Sequence, residues 1–382
     1  MTLQQSPGTA QAVVGKSDSC HYHGRMTSQW GRKTTGVRAV AQVASDRVDN
    51  RIAIVTGGYA GMGLRCVEAL VGRGVSVVVP ARDMTKARAA LRGLPSVVIR
   101  PMDLMDPDSI DAFVGWFTSN YDRFDYLIGC AGIMTPPLRR DGRGHESQFS
   151  TNHLGHFHLA TRLAELLAAS DGHPRLVLVS SRAQRIAGNL TGKSHIDADG
   201  TVRGDDPLPD SAVSGINLDD PDWVTTPYEP MLAYAASKTA NVLMVVEFDR
   251  RWRDRGVRAF AVHPGLIPGT DLGREHHIPA LVRRLVGTRA AVATINVLRR
   301  VTGQVHGEGD RFKTAAQGAG TVLWAALCED LDGQGGAYCQ DCHVAPVVSD
   351  PRTEDGVFTW AVDPDKASRL WQLSESLIPT TG

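Results

Sequence analysis

The chain has 382 residues, enough to bury the core of one large α/β domain or of two smaller ones. Its 41 lysines and arginines balance 41 aspartates and glutamates, which excludes the overall field that draws a protein to nucleic acid or to an anionic membrane. No stretch reaches about 18 successive apolar residues and the cysteines are scattered, so a soluble, cytoplasmic protein without a disulfide framework is expected.

Residues 1–48 are polar and glycine-rich, with neither periodicity nor the apolar core of a signal peptide. They read as an N-terminal extension that is partly disordered or that lies ahead of a start at Met26. Apolar, β-branched runs then recur at Ile52 to Thr56, Val75 to Ala81, Ser96 to Met102, Tyr126 to Cys130, Leu176 to Ser180 and Arg258 to His263. Such continuous runs suit strands buried on both faces. Between them lie amphipathic stretches: Leu64 to Arg73, Met84 to Leu91, Ser109 to Ser119, Gln148 to Ser170 and Leu232 to Arg255. The alternation predicts an α/β fold, a doubly wound parallel sheet with helices on both faces. Helix starts are signalled by Asp106 before Pro107 and by Thr314 ahead of Gln317 as a capping box. Glycine, aspartate and proline dominate 182–230, which reads as a long insertion. Glu275 to Gly303 mixes arginines with apolar residues, as one or two amphipathic helices do. The expected domain spans 49–350, with 351–382 as a C-terminal tail.

Directly after the first strand comes Thr56-Gly57-Gly58-Tyr59-Ala60-Gly61-Met62-Gly63, followed at once by a helical pattern. Glycines there allow a tight turn and a close approach of backbone to a pyrophosphate, which sits on the N–H groups and positive dipole of the helix end. Placement between strand and helix makes Gly57, Tyr59, Gly61, Met62 and Gly63 candidates for dinucleotide binding rather than an ordinary turn. Where an acidic residue would hold the ribose diol of NAD stands Ala81, followed by Arg82, whose guanidinium suits the 2′-phosphate of NADP. NADP is therefore expected over NAD; the competing reading leaves Arg82 in solvent and Asp83 as a helix cap. Asp103, closing the third strand, can accept from an adenine amino group or serve ordinary turn chemistry.

Tyr234 and Lys238 stand four apart in Tyr-Ala-Ala-Ser-Lys, free of helix breakers, and so share one helix face. An ammonium about 4 Å from a phenol, at an effective dielectric of about 20, favours phenolate by about 4 kcal/mol. That would poise Tyr234 near neutral pH for proton transfer. Ser180 and Ser181 close the fifth strand at the edge where open parallel sheets bind ligands, so a hydroxyl there can bond a substrate carbonyl. Asn152 lies in an earlier helix.

Taken in order, Thr56 to Gly63, Asp103-Leu104, Ala131-Gly132, Asn152, Ser181, the Tyr234 and Lys238 pair and Pro264-Gly265 resemble the short-chain dehydrogenase/reductase family, over roughly Arg51 to Pro346. The resemblance implies a single Rossmann-type domain that binds a nicotinamide cofactor, with Leu104, Ala131, Gly132, Pro264 and Gly265 joining the glycine loop. It also implies that Tyr234 is the general acid/base, that Lys238 lowers its pKa and contacts the nicotinamide ribose, that Ser181 orients the carbonyl and that Asn152 holds a relay water. Hydride would pass between nicotinamide and a carbonyl carbon. Thr151 to Phe157 and the long loop before Tyr234 are similar to the retinol dehydrogenase and light-dependent protochlorophyllide reductase branch. Pro264-Gly265 with Gly273 to His276 is similar to the latter especially. That branch implies NADPH, a bulky apolar small-molecule substrate and a helical lid over 271–310 rather than a membrane-surface contact. Reduction of a carbon–carbon double bond, or an NADP-binding scaffold without turnover, are the alternative functions, and a homo-oligomer is compatible with either. In two respects the chain departs from the pattern: Gly129 and Cys130 stand where the family has two asparagines, so the bonds that steady this strand must come from elsewhere, and the stretch between Ser181 and Tyr234 is considerably longer than usual.

Two further motifs carry less. Cys339 to His343 has the spacing of a haem attachment site, and with Cys20, His21 and His23 that of a zinc site, but packed thiols are the expected state. Of His153, His156 and His158 only the first two share a helix face and no carboxylate accompanies them, so core or pocket histidines are expected and no metal.

Overall fold

The β-branched runs pair side by side, as strands without a polar face must. In the computed structural model, which describes residues 30–186, 195–196, 202–203, 215–268, 282, 285–302, 311–350, 353 and 355–378, they supply six strands of one eight-stranded sheet. Its strands are β1 (Ile52–Thr56), β2 (Ser76–Ala81), β3 (Val97–Pro101), β4 (Tyr126–Gly129), β5 (Arg175–Val179), β6 (Arg258–His263), β7 (Ala337–Gln340) and β8 (His343–Val344). The order is β8-β7-β6-β5-β4-β1-β2-β3, parallel throughout except for β8 against β7. Strand order reverses between β1 and β4, and their carboxyl ends open the crevice in which such sheets bind ligands.

Alternate residues of each strand face opposite cores. Val55, Val79, Ile128 and Val177 pack against α2 (Gly61–Val71) and α8 (Ala315–Leu327). Ile54, Val78, Leu127 and Leu176 pack against α4 (Pro107–Asn120), α5 (Gly155–Ala168) and α6 (Pro230–Trp252). The expected starts are present: Asp106 caps α4 ahead of Pro107, and Thr314 and Gln317 form the reciprocal box on α8. The helix expected from Gln148 to Ser170 is interrupted by a π-turn, Ser150–Leu154, between a short turn at Ser147–Phe149 and α5.

Two packed elements lie beyond the expected limits of 49 and 350. α1 (Gly36–Ala41), capped by Thr35, buries Ala39 and Val40; where α1 meets α8 a Cβ on Gly36 would be tight and one on Gly320 would overlap the Thr34 carbonyl. The C-terminal α9 (Pro364–Leu377), capped by Asp363, buries Leu370 and Trp371 beside α6. Within the expected insertion, a turn at Arg182–Arg185, the pair His195–Ile196 with Val202–Arg203, and residues 215–229 are described; 187–194, 197–201 and 204–214 lie outside the described residues. Of the expected lid, only 282 and 285–302 are described, including α7 (Arg289–Val301). No described helix is long and apolar enough to cross a membrane. α3 (Met84–Ala90), capped by Asp83, follows β2.

One charge is wholly enclosed. The Arg175 guanidinium donates to the carbonyls of Ala325 and Cys328 and to Asp332 at 2.6 Å, and Arg47 grips the same carboxylate. Burial raises the Asp332 pKa, but the hydrogen bonds from Arg47 and Arg175 outweigh it and hold the carboxyl below its usual range. Asp332→Ala leaves Arg175 buried and unpaired and should cost about 3 kcal/mol in denaturant titrations. The depressed pKa adds stability above the ordinary carboxylate range and loses it as pH falls through the folded value, so the gap between wild type and variant should close in acid. A gap that persists at low pH would refute the assignment.

Candidate active site

The crevice is lined first by the turn from β1 into α2. Gly57 has φ +66°, and a Cβ there would meet the Ala131 backbone at 2.9 Å. Gly61 has φ +51°, and a Cβ on Gly63 would overlap the Gly57 carbonyl. Only glycine fits where backbones approach so closely. Ala60 at the α2 N-cap offers no side-chain bond, whereas α1, α3, α4, α6, α7, α8 and α9 each start from a side-chain cap. The first amides of α2 are left to a ligand, and the cradle suits a pyrophosphate. These residues therefore fit a dinucleotide. Tyr59 is half-buried and Met62 buried against the same core. On the far side Gly265 has φ +93° and lies on the Lys313 alkyl chain, while Gly318 would bring a Cβ to 3.4 Å from the Pro264 carbonyl.

The long helix α6 carries Tyr234 and Lys238, both buried. The Ser181 side chain acts on the Tyr234 phenol, favouring its ionised form, and Ser181 also caps the turn Arg182–Arg185 by accepting from Ala183 N–H. The serine pair thus divides its work, because Ser180 donates instead to the Lys238 carbonyl and pins α6 to β5. Lys238 Nζ donates to the Val179 carbonyl at 3.0 Å and stands 5.7 Å from the Tyr234 ring centroid. Burial lowers its pKa to about 8, partly offset by the nearby Cys130.

Tyr234 is not poised near neutral pH, as Coulomb attraction to Lys238 led one to expect. Burial pushes the phenol up to about 12, and the Ser181 bond only partly opposes it. Desolvation of the charged form outweighs a lysine whose proton is aimed at a carbonyl.

Asn152 sits in the π-turn, fully buried. Its Oδ1 accepts from Ile133 N–H at 2.9 Å, and its Nδ2 donates to the Ile133 carbonyl at 3.0 Å and to Ser237 Oγ at 2.9 Å. Ser237 donates in turn to the Tyr234 carbonyl. The Asn152 side chain thus joins the segment after β4 to the tyrosine helix. Gly132 is the bare floor between them: a Cβ there would lie 3.0 Å from Asn152 Oδ1 and 3.5 Å from Lys238 Nζ. Sequence reasoning missed Ser237, although its place between Tyr234 and Lys238 puts it on an adjoining helix face.

The remaining candidates are peripheral. Arg82 is exposed just beyond the buried Ala81, and Asp83 caps α3. Asp103 accepts from Met105 N–H in a local turn, and its own N–H donates to Ser109, so turn chemistry occupies at least one of its oxygens. Leu104 is buried, its carbonyl so close to Gly155 that no Cβ would fit between. His153 bonds Ser374 and stacks on Phe149, and His158 bonds Asp111. Cys339 and Cys342 are buried free thiols, the latter beside Thr321. Among the described residues no group of three or more His, Cys, Asp or Glu side chains could hold a metal ion.

Comparison with known proteins gives a consistent picture. The family model for short chain dehydrogenase matches residues 51–191. A probable oxidoreductase from Streptomyces lividans is 34% identical over 84% of this chain and 95% of its own length. Retinol dehydrogenase 12 from Mus musculus is 30% identical over 87% of each chain. Among solved structures, an uncharacterized protein from Mycobacterium Paratuberculosis superposes with a TM-score of 0.59 at 29% identity, covering 89% of this chain and 98% of its own.

Proposed function

The chain belongs to the short-chain dehydrogenase family and is an NAD(P)-dependent oxidoreductase; from that premise we propose that it uses NADP(H) and acts on the carbonyl or alcohol group of a bulky, apolar small molecule. The observation that carries this reading is the convergence of the Tyr234 phenol and the Ser181 hydroxyl beside Lys238 at the carboxyl edge of β5. A carbonyl oxygen within reach of both would accept two bonds that strengthen as negative charge develops on it. Tyr234 then gives up its proton as general acid, a role suited to a phenol whose pKa lies near 12 and which stays protonated across the working range. Lys238, held by Val179 O, places positive charge beside the phenolate that remains. Asn152 and Ser237 fix Tyr234 relative to the segment after β4. Bound NADPH supplies the hydride.

The apolar character of the substrate is supported by the Ala183, Ile186, Met134, Met231 and Leu232 side chains clustered around Tyr234, and by the likeness to retinol dehydrogenases. The decisive experiment tracks the absorbance of NADPH while ketones and aldehydes of graded size and polarity are offered. Oxidation of none of them would sink the reading, whereas preference for small polar carbonyls would sink the substrate class alone.

The preference for NADP rests on Arg82, exposed at the end of β2 with Ala81 where a carboxylate would otherwise stand. Arg82→Ala should weaken NADPH binding about tenfold in fluorescence titrations and leave NADH nearly unchanged, the loss expected for one charge-assisted contact to a phosphate. Equal weakening of both would remove Arg82 from the phosphate site.

A further inference from the structure

Three walls of the cofactor crevice meet on one imidazole. His156, in the first turn of α5, is 3% exposed. Its Nδ1 lies 3.1 Å from the Asn152 carbonyl, which can only accept, so Nδ1 carries the proton. Nε2 is therefore bare and accepts from the Thr56 hydroxyl at 2.9 Å. The Thr56 oxygen in turn accepts from Ala131 N–H at 3.1 Å. The relay runs from Ala131 through Thr56, the last residue of β1, to the ring and on to the π-turn that carries Asn152, and every donor along it has an acceptor.

The space the ring fills belongs to position 129. A Cβ on Gly129 would lie 2.6 Å from Leu178 Cδ2, 2.9 Å from His156 Cδ2 and 3.2 Å from Nε2, so the ring and Leu178 together close the position. In the family pattern an asparagine stands there; this chain has no side chain at 129 and an imidazole in its volume. Burial and, after it, the charge of Lys238 lower the ring's pKa to about 4, which agrees with a neutral imidazole.

We propose that His156 is a positioning residue for cofactor binding: through Thr56 it holds Ala131 against the glycine turn, taking over the place and hydrogen-bonding task of a side chain at 129. The inference rests on the dinucleotide reading of the crevice, and two of its readouts do not require turnover. Thr56→Val keeps the shape and removes the hydroxyl, so the NADPH dissociation constant should rise about tenfold or more, the scale for stranding buried partners. Thr56→Ser, which restores the hydroxyl, should recover most of the affinity. His156→Ala should weaken NADPH similarly by loss of the brace, and Gly129→Asn by collision with Leu178 and the ring. Nitrogen NMR of the wild type near neutral pH should show His156 with Nδ1 protonated and Nε2 bare.

Wild-type affinity in Thr56→Val or in His156→Ala, or an Nε2–H ring, would each overturn the proposal. Failure of the wild type to bind either NADPH or NADH would instead refute the cofactor reading, and the tautomer would then decide the brace alone.

Discussion

Replacing Tyr234 by phenylalanine is expected to reduce turnover by a factor of about 10² or more while leaving the NADPH dissociation constant within about twofold, the scale on which a positioned general acid contributes. The hydroxyl is the sole polar atom removed. It faces Ser181, which is only half-buried and can turn its hydroxyl to water, so the loss costs little in stability. The ring meanwhile stays packed on Ala183, Ile186 and Ala235. Steady-state kinetics and cofactor fluorescence on the same preparation check this. Unchanged turnover would take Tyr234 out of the chemistry; loss of cofactor binding in parallel would make it a structural residue.

Lys238→Met should separate activity from stability. Turnover should fall at least 10²-fold, since positive charge beside the phenolate is lost. The thermal midpoint should nevertheless rise. Burial brings the lysine from 10.5 to about 8, so the folded protein binds fewer protons than the unfolded chain between those values. The cost of holding this ammonium is therefore complete below about pH 8, roughly 3 kcal/mol, and is relieved as pH climbs toward 10.5. Methionine has nearly the same length and no charge to desolvate, so its advantage should be largest at neutral pH and fade in alkali. Melting curves for both proteins across this range provide the check. A variant that melts lower at neutral pH would show that the bond to Val179 O is worth more than the desolvation it costs.

How much was legible in advance depended on the range of the interaction. The strands from Ile52, Tyr126 and Arg258 and the glycine turn announce themselves within a few residues, because burial on both faces and positive φ constrain composition locally. Tyr234 and Lys238 were likewise readable as neighbours on one helix. Their electrostatics were not, since burial and the Val179 carbonyl come from elsewhere in the chain. Thr56 and His156 stand 100 positions apart, and neither residue type marks its role until β1, β4 and α5 converge. α1 spans only six residues, too few for a periodic pattern, and it is identified by what it covers on α8 rather than by its own sequence. The surplus residue in the helix around Asn152 is invisible to a periodicity search that averages over several turns.

That surplus fixes the angular phase between two halves of one rod. Each residue of a regular helix advances about 100° around the axis, so a wide turn rotates the N-terminal half by about that angle relative to the C-terminal half. Asn152 can thereby aim at Ile133 and Ser237 while Phe157 and Leu163 keep facing the core. Shortening the rod by one position would leave it helical and swing the amide out of the crevice. This stretch is consequently less forgiving of changes in length than of changes in composition.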